Sequence, residues 1–125
     1  MAEKYAAKAA WAKANPEKAA KLEMFFSGKA PEVNWAAIEQ KAGVATRAAS
    51  ATVLSALATQ VENMIVASAD LSNSDKTDGF LKKTHAFKKG DFSGAFFQAG
   101  VAELTMACCC IGMALHGGVI PACGT

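Results

Sequence analysis

The chain has 125 residues and a formal net charge of +2, so it can form one domain with a modest core. This near-neutral balance implies no strong attraction to nucleic acid or to an anionic membrane. The apolar run Met106–Leu115 is too short to span a bilayer, and the charged N-terminus lacks the apolar core of a signal peptide. We therefore expect a cytoplasmic protein.

Residues 1–43 contain three helix-forming segments. The first, AEKYAAKAAWAKA, is rich in good helix formers. The second follows Asn15 and stops at Gly28, and the third follows Asn34 and stops at Gly43, so Asn caps and terminal glycines set the expected bounds of both helices. These segments are more typical of a helical connector than of a domain core, and we expect residues 1–43 to form one.

The pattern changes in residues 44–125, where helix and strand signals alternate. A helix is expected in VATRAASATVLSALATQV, and a fully buried helix in VAELTMACCCIGMAL, which HGG ends. The buried face of the first of these helices is expected to carry Val53, Leu54, Leu57 and Val61. Strands are expected in NMIVASAD, AFFQAG and VIPACGT, and loops in LSNSDKTDG and FLKKTHAFKKGDFSG.

Alternating helices and strands favour an α/β fold, which we expect to be a partial three-layer sandwich with a parallel sheet in residues 44–125. About three strands are readable, which is near the minimum for independent stability, so we expect the domain to be truncated. Ligands of such sheets bind beyond the carboxyl ends of the strands. Asp70, Ser74 and Glu103 follow predicted strand ends and are therefore candidates for a binding or catalytic site.

The four cysteines include a consecutive run, Cys108 to Cys110. Neighbouring positions on a helix point about 100° apart, so these side chains cannot face one partner together and a disulfide framework is not expected. A metal site would have to combine one of them with His116 and Cys123, a spacing that matches no common zinc pattern. The favoured interpretation is that these cysteines serve as small buried hydrophobic residues.

Four segments resemble the transketolase family when they are taken together in this order and spacing: VATRAAS, ASADLSNS, FFQAGVAELTMA and ALHGGVIPACGT. The resemblance covers the whole chain but only a middle slice of the enzyme. It implies that residues 44–125 are the start of the pyrimidine-binding domain, within the thiamine diphosphate-binding fold. Residues 1–43 then resemble the connector from the preceding domain.

The resemblance also implies roles for five residues. Glu103 would be the catalytic carboxyl, which contacts the aminopyrimidine ring of thiamine diphosphate and exchanges a proton with a ring nitrogen. Asp70 and Leu71 would contact the cofactor, and Arg47 and Ser74 would bind the phosphate of the sugar substrate. Four of the five also have a plain structural interpretation: a helix-dipole Glu, a turn Asp, a surface Arg and a loop Ser.

Other polar residues are left out of the predicted site. His85 and His116 have no nucleophile partner at a usable spacing, and the family's catalytic histidines belong to other parts of its chain. The lysines at positions 82, 83, 88 and 89 are interpreted as a solvated surface. The family often has Arg and His beside the catalytic Glu, whereas this chain has Ala102 and Leu104.

The parent enzyme implied by the resemblance moves a two-carbon ketol unit between ketose and aldose phosphates, with thiamine diphosphate and Mg²⁺, as a homodimer. The family's metal and diphosphate site lies upstream of this segment, so the chain alone is expected to be inactive and to hold no metal. Two alternatives stay open. One is a short, non-catalytic interaction protein of transketolase descent, and the other is a piece of another thiamine diphosphate enzyme.

Overall fold

The computed structural model describes residues 1–125. The connector region holds α1 (Ala2–Ala14), α2 (Pro16–Phe26) and a 3₁₀ turn (Trp35–Ala37). The remaining elements, in chain order, are α3 (Thr46–Gln60), β1 (Met64–Ser68), α4 (Ser72–Asp75), α5 (Asp78–Leu81), β2 (Phe96–Gln98), α6 (Glu103–His116) and β3 (Ile120–Gly124). None of the helices has both the length and the apolar character that spanning a bilayer would require.

The sheet has three parallel strands in the order β2-β1-β3, so β1 is the central strand. Val66 pairs with Phe96 on one side, and Ala67 pairs with Cys123 on the other. The expected parallel α/β sheet and all three predicted strands are therefore confirmed. Parallel strands end at the same edge of a sheet, which places the loops after β1 and β2 together at its carboxyl edge.

One face of the sheet carries the larger apolar cluster. α3 and α5 cover this face, and Leu54 and Leu57 of α3 pack against it. Its fully buried members are Val61, Met64, Val66, Phe80 and Phe96. The expected helix in residues 44–61 is confirmed, together with most of its predicted buried face.

The opposite face of the sheet is covered by α6. Ala67 and Ala69 meet Met106 and Cys110 there, and small strand residues let the helix approach closely. Helices on both faces of one sheet make three layers, as expected.

The prediction that α6 is buried all round is wrong. Only Met106 and Cys110 are buried, because one face of the helix contacts the sheet and no element covers the face with Leu104, Ile111 and Leu115. Leu104, Ile111 and Leu115 are 79%, 59% and 83% exposed. Of the four cysteines only Cys110 is buried, so the interpretation as buried hydrophobic residues fails for Cys108, Cys109 and Cys123.

The third expected connector helix is also absent. Only Trp35–Ala37 turns, and the backbone N–H of Asn34, just before this turn, donates to the Gln60 side chain at 2.8 Å. Asn15 precedes α2 as predicted, but its side chain donates to the Trp11 carbonyl of α1 at 3.0 Å and does not cap α2. The Asn15 contact is local, whereas the Asn34 contact joins residues 26 positions apart and cannot be read from a local window of sequence.

Two side-chain contacts of α2 help to join the connector to the rest of the chain. Lys21 of α2 forms an exposed ion pair with Glu62 at 2.9 Å. The ring of Phe26 lies edge-on to that of His116 at the end of α6, with centroids 5.8 Å apart. The division at residue 43 into connector and domain stays a prediction.

Candidate functional site

The segment after β1 leaves the sheet through a sharp turn at Asp70. Asp70 has a φ of +65°, in the left-handed region that non-glycine residues rarely adopt. The turn is held because the backbone N–H of Leu71 donates to Ser68 Oγ at 3.2 Å. Strained backbone of this kind concentrates at functional sites, so the turn marks this edge of the sheet as a candidate site.

The Asp75 carboxylate stabilises the same segment through hydrogen bonds. Its Oδ2 accepts from the hydroxyl of Ser68 at 2.8 Å, and its Oδ1 accepts from the backbone N–H and the hydroxyl of Thr77, both at 2.8 Å. Ser68 and Thr77 are buried, so this carboxylate satisfies polar groups that water cannot reach. These bonds explain why LSNSDKTDG, expected to be a loop, forms the short helices α4 and α5.

Sequence reasoning missed Asp75. The only available signal was a second acidic residue close behind Asp70, and acidic residues are common in turns. Its importance comes from the burial of Ser68 and Thr77, and burial in this segment depends on the tertiary fold.

Replacing Asp75 with Ala is expected to lower the free energy of unfolding by about 2 kcal/mol, because the buried hydroxyls of Ser68 and Thr77 would lose their acceptor. Chemical denaturation of the complete protein, followed by circular dichroism, measures this change. Glu62→Gln is the matched control, because it removes a carboxylate from an exposed ion pair and should cost less than about 1 kcal/mol. Equal losses for the two variants would show that the Asp75 bonds contribute little.

The strained turn and the start of α3 enclose an open cleft of about 600 Å³, which we term the loop pocket. Its lining residues are Arg47, Asp70, Leu71, Ser72, Asn73, Ser74 and Lys76. Arg47 reaches across the pocket, and its Nη1 donates to the Ser74 carbonyl at 3.5 Å. The structure thus brings together four of the five predicted site residues.

The placement of Arg47 is unfavourable for the stability of α3. It lies in the first turn of the helix, where the partial positive charge of the helix end disfavours a cation. This turn has no acidic residue, and Ala45 at the cap position offers no side-chain acceptor. A cation at an uncapped helix N-terminus is an arrangement suited to binding an anion.

Glu103, the fifth predicted residue, is the first residue of α6. Because α6 follows β2, Glu103 lies toward the carboxyl edge of the sheet, as the loop pocket does. It does not line the loop pocket, and its side chain is exposed. No other element of this chain covers the start of α6, so the Glu103 carboxyl is open to water here.

The residues left out of the predicted site form separate arrangements. His85 Nε2 lies 3.0 Å from Ser93 Oγ, and the Ser93 hydroxyl donates to Asp91. The Ser93 hydroxyl and backbone bonds hold the pKa of Asp91 below its ordinary value. This is not a nucleophile array, because the Ser93 hydroxyl donates its hydrogen bond to Asp91 and not to His85. No three metal-ligating side chains cluster anywhere in residues 1–125.

A three-layer domain with a parallel sheet and a polar pocket beyond its central strand defines a class: the open α/β domains that bind small molecules at the carboxyl edge. Comparisons with known proteins specify the family. The family described as "Transketolase, pyrimidine binding domain" matches residues 42–125. The chain therefore belongs to the transketolase family, which confirms the resemblance noted in the sequence and implies thiamine diphosphate as the family's cofactor.

Individual relatives agree with the family assignment. The chain is 39% identical over 115 residues to a transketolase of Halalkalibacterium halodurans, covering 89% of this chain and 17% of that protein. It is 38% identical over 108 residues to a transketolase of Bacillus subtilis, covering 83% of this chain and 16% of that protein. The chain thus spans about a sixth of the length of these relatives.

Solved structures share the fold. The transketolase of Leishmania mexicana superposes with a TM-score of 0.81 at 28% identity, over 94% of this chain and 18% of that one. A Pichia stipitis transketolase in complex with sedoheptulose 7-phosphate gives a TM-score of 0.78 at 34% identity, over 94% of this chain and 19% of that one. The similarity therefore extends through the connector as well as the sheet.

Proposed function

We propose that this sequence forms the pyrimidine side of the active site in a complete transketolase, termed here the parent enzyme. The parent enzyme transfers a two-carbon ketol unit between ketose and aldose phosphates. The observation that carries the proposal is the family match over residues 42–125, within which Glu103 and the loop pocket lie toward one edge of the sheet. The cytoplasmic location remains a prediction.

The residues present fit the pyrimidine half of thiamine diphosphate better than its diphosphate half. Glu103 offers an exposed carboxyl for a ring nitrogen, and Leu71, which is 43% exposed, offers apolar surface for a ring. A diphosphate calls for metal ligands, and no suitable cluster exists in this chain. We propose that Mg²⁺ and the diphosphate are held by another part of the parent enzyme.

Glu103 is proposed as the catalytic carboxyl. When bound, thiamine diphosphate supplies the carbon nucleophile that attacks the ketose carbonyl. Glu103 holds and exchanges a proton at a nitrogen of the aminopyrimidine ring. Glu103 is the first residue of α6 and its side chain is exposed, so its carboxyl can meet a ring nitrogen. Asp70 and Leu71 are proposed to contact the cofactor, with the left-handed turn at Asp70 fixing both.

Arg47 and Ser74 are proposed to bind the phosphate of the sugar. The uncapped start of α3 and the Arg47 guanidinium already form a cationic wall of the loop pocket. A guanidinium can form paired, charge-assisted bonds to phosphate oxygens. Pichia stipitis transketolases, to which the chain is about one-third identical, have been solved with fructose 6-phosphate and sedoheptulose 7-phosphate, and we propose substrates of this class here.

The outer face of α6 indicates contact with a further protein surface. This exposed apolar face consists of Leu104, Cys108, Ile111 and Leu115, which recur at helical spacing. We propose that the remainder of the parent enzyme and a second, identical subunit cover it. Such cover would also supply the dry surroundings that Glu103 lacks in the isolated chain.

An activity assay of the parent enzyme and of the isolated 125-residue chain tests the proposed function. Fructose 6-phosphate serves as donor and an aldose phosphate as acceptor, with and without thiamine diphosphate and Mg²⁺. We expect transfer by the parent enzyme only when both are present, and none by the isolated chain. A parent enzyme that is loaded with both and transfers no ketol unit would contradict the proposal. Transfer by the isolated chain would contradict the proposal that Mg²⁺ and the diphosphate are held by another part of the parent enzyme.

A second candidate function rests on the same exposed face of α6. The chain could act without catalysis, as an interaction module of transketolase descent that binds a partner through Leu104, Ile111 and Leu115. Analytical ultracentrifugation of the isolated chain distinguishes the two. A stable monomer at high concentration would argue against the interaction module. A specific complex would favour it, provided that no longer protein containing this sequence shows ketol transfer.

A further inference from the structure

Cys123 of β3 and Cys110 of α6 lie on the same side of the sheet. Ile120 and Ala122 pack against the apolar cluster on the α3 side, and side chains alternate along a strand, so Cys123 points to the α6 side. There it is the direct neighbour of Ala67, which is fully buried beneath Cys110. The fold thus brings together two cysteines that are thirteen positions apart in the sequence.

The other two cysteines on α6 do not face Cys123. Cys108 and Cys109 are exposed, because helix geometry turns them about 200° and 100° away from Cys110. Burial, together with the neighbouring Cys123 thiol, raises the pKa of Cys110 to about 11. The pair is therefore asymmetric: Cys110 is buried and held as a thiol, whereas Cys123 is exposed to solvent.

We propose that Cys110 and Cys123 form a dithiol site that peroxides oxidise to a disulfide joining α6 to β3. This inference is independent of the proposed ketol transfer. It assigns a modification site to cysteines that sequence reasoning interpreted only as small hydrophobic residues. The disulfide would covalently link α6, the helix that begins at Glu103, to the edge strand β3.

The exposed thiol reacts first. The thiolate of Cys123 attacks one oxygen of hydrogen peroxide, so an S–O bond forms, the O–O bond breaks and hydroxide leaves, giving a sulfenic acid. The sulfur of Cys110 then loses its proton and attacks the Cys123 sulfur, forming the S–S bond and releasing the sulfenic oxygen as water. In total, two thiols lose two electrons and two protons, and one hydrogen peroxide becomes two waters.

Peptide mapping tests the pairing. The chain is treated with hydrogen peroxide, its remaining thiols are blocked with N-ethylmaleimide, and it is cleaved with chymotrypsin, which cuts after Leu115. Cleavage separates the peptide that contains Cys108 to Cys110 from the peptide that contains Cys123. We expect mass spectrometry to find the two peptides linked until a reductant is added. The link should form at least about tenfold faster in buffer than in denaturing urea, because the fold holds the thiols together.

Single Ser substitutions identify the partner of Cys123. Cys110→Ser is expected to abolish the link, whereas Cys108→Ser and Cys109→Ser, which change exposed positions on the same helix, are expected to keep it. Undiminished linking in Cys110→Ser would overturn the proposal. It would also be overturned if linking were equal in buffer and in urea, or if the wild-type chain accumulated dimedone-reactive sulfenic acid at Cys123 without any link.

Discussion

Replacing Glu103 with Gln in the parent enzyme is expected to lower kcat for ketol transfer by a factor of about 10² to 10⁴, the usual contribution of a positioned acid–base group. Gln keeps the size of the side chain and can still form a hydrogen bond, but it cannot exchange a proton with the pyrimidine ring. Because Glu103 is exposed at a helix end, its loss should change the free energy of unfolding by no more than about 1 kcal/mol. Steady-state kinetics with saturating thiamine diphosphate measure the effect.

Glu62→Gln is the control for this substitution. It removes a carboxylate of the same length from an exposed ion pair outside the site, and it should leave kcat unchanged. The plain structural interpretation of Glu103, a residue favoured by the helix dipole, predicts a small loss of stability and full activity. A Glu103→Gln enzyme that retains wild-type turnover would therefore establish that interpretation.

Replacing Arg47 with Ala is expected to reduce kcat/KM for fructose 6-phosphate by a factor of about 10 to 150, the value of a lost charge-assisted bond of 1.5 to 3 kcal/mol. The loss should fall on KM, since Arg47 is proposed to bind the phosphate and not the reacting carbon. Its contact with the Ser74 carbonyl is long, at 3.5 Å, so the fold should tolerate the change. Kinetics with varied donor concentration separate KM from kcat.

Unphosphorylated fructose provides the matched control for Arg47, because this donor lacks the group that the guanidinium is proposed to bind. Wild type and Arg47→Ala should use it with equal, low efficiency. Arg47→Lys should recover only part of the loss, since an ammonium cannot form paired bonds to phosphate. Equal losses on both donors would indicate that Arg47 supports the structure of the loop pocket and does not recognise phosphate.

Much of the fold could be predicted because local patterns and tertiary structure agree in the sheet. Short apolar runs bounded by Asp70, Gly100 and Gly117 marked the strand ends and the end of α6. Alternation of helix and strand then implied parallel strands, which in turn placed the site at the carboxyl edge. Asp70 and Ser74 were found as candidates because they follow the predicted strand NMIVASAD, whereas Arg47 and Leu71 came only from the family resemblance.

The remaining errors arise where burial depends on distant parts of the chain. The composition of α6 indicates burial on every side, but no element of this chain covers the face with Leu104, Ile111 and Leu115. The helical turns after Asp70 depend on the bonds that Asp75 makes to Ser68 and Thr77. Neither the packing partner of a helix nor the donors around a carboxylate can be read from a local window of sequence.

The family resemblance added the roles of individual residues, which composition and periodicity could not provide. The fold comparison supports the family, and the geometry places Arg47, Asp70, Leu71 and Ser74 around one pocket. The catalytic and binding roles themselves remain proposals that need kinetic tests. Glu103 in particular depends on a covering surface from outside this chain.

Segment replacement in the Bacillus subtilis transketolase tests the central claim most directly, because it measures what this sequence contributes. The region that aligns with this chain at 38% identity over 108 residues is exchanged for the present sequence, and ketol transfer from fructose 6-phosphate is assayed. We predict that the folded chimera retains ketol transfer and loses it when Glu103 is changed to Gln. A folded chimera that binds thiamine diphosphate but transfers no ketol unit, or one that is indifferent to Glu103, would contradict the account.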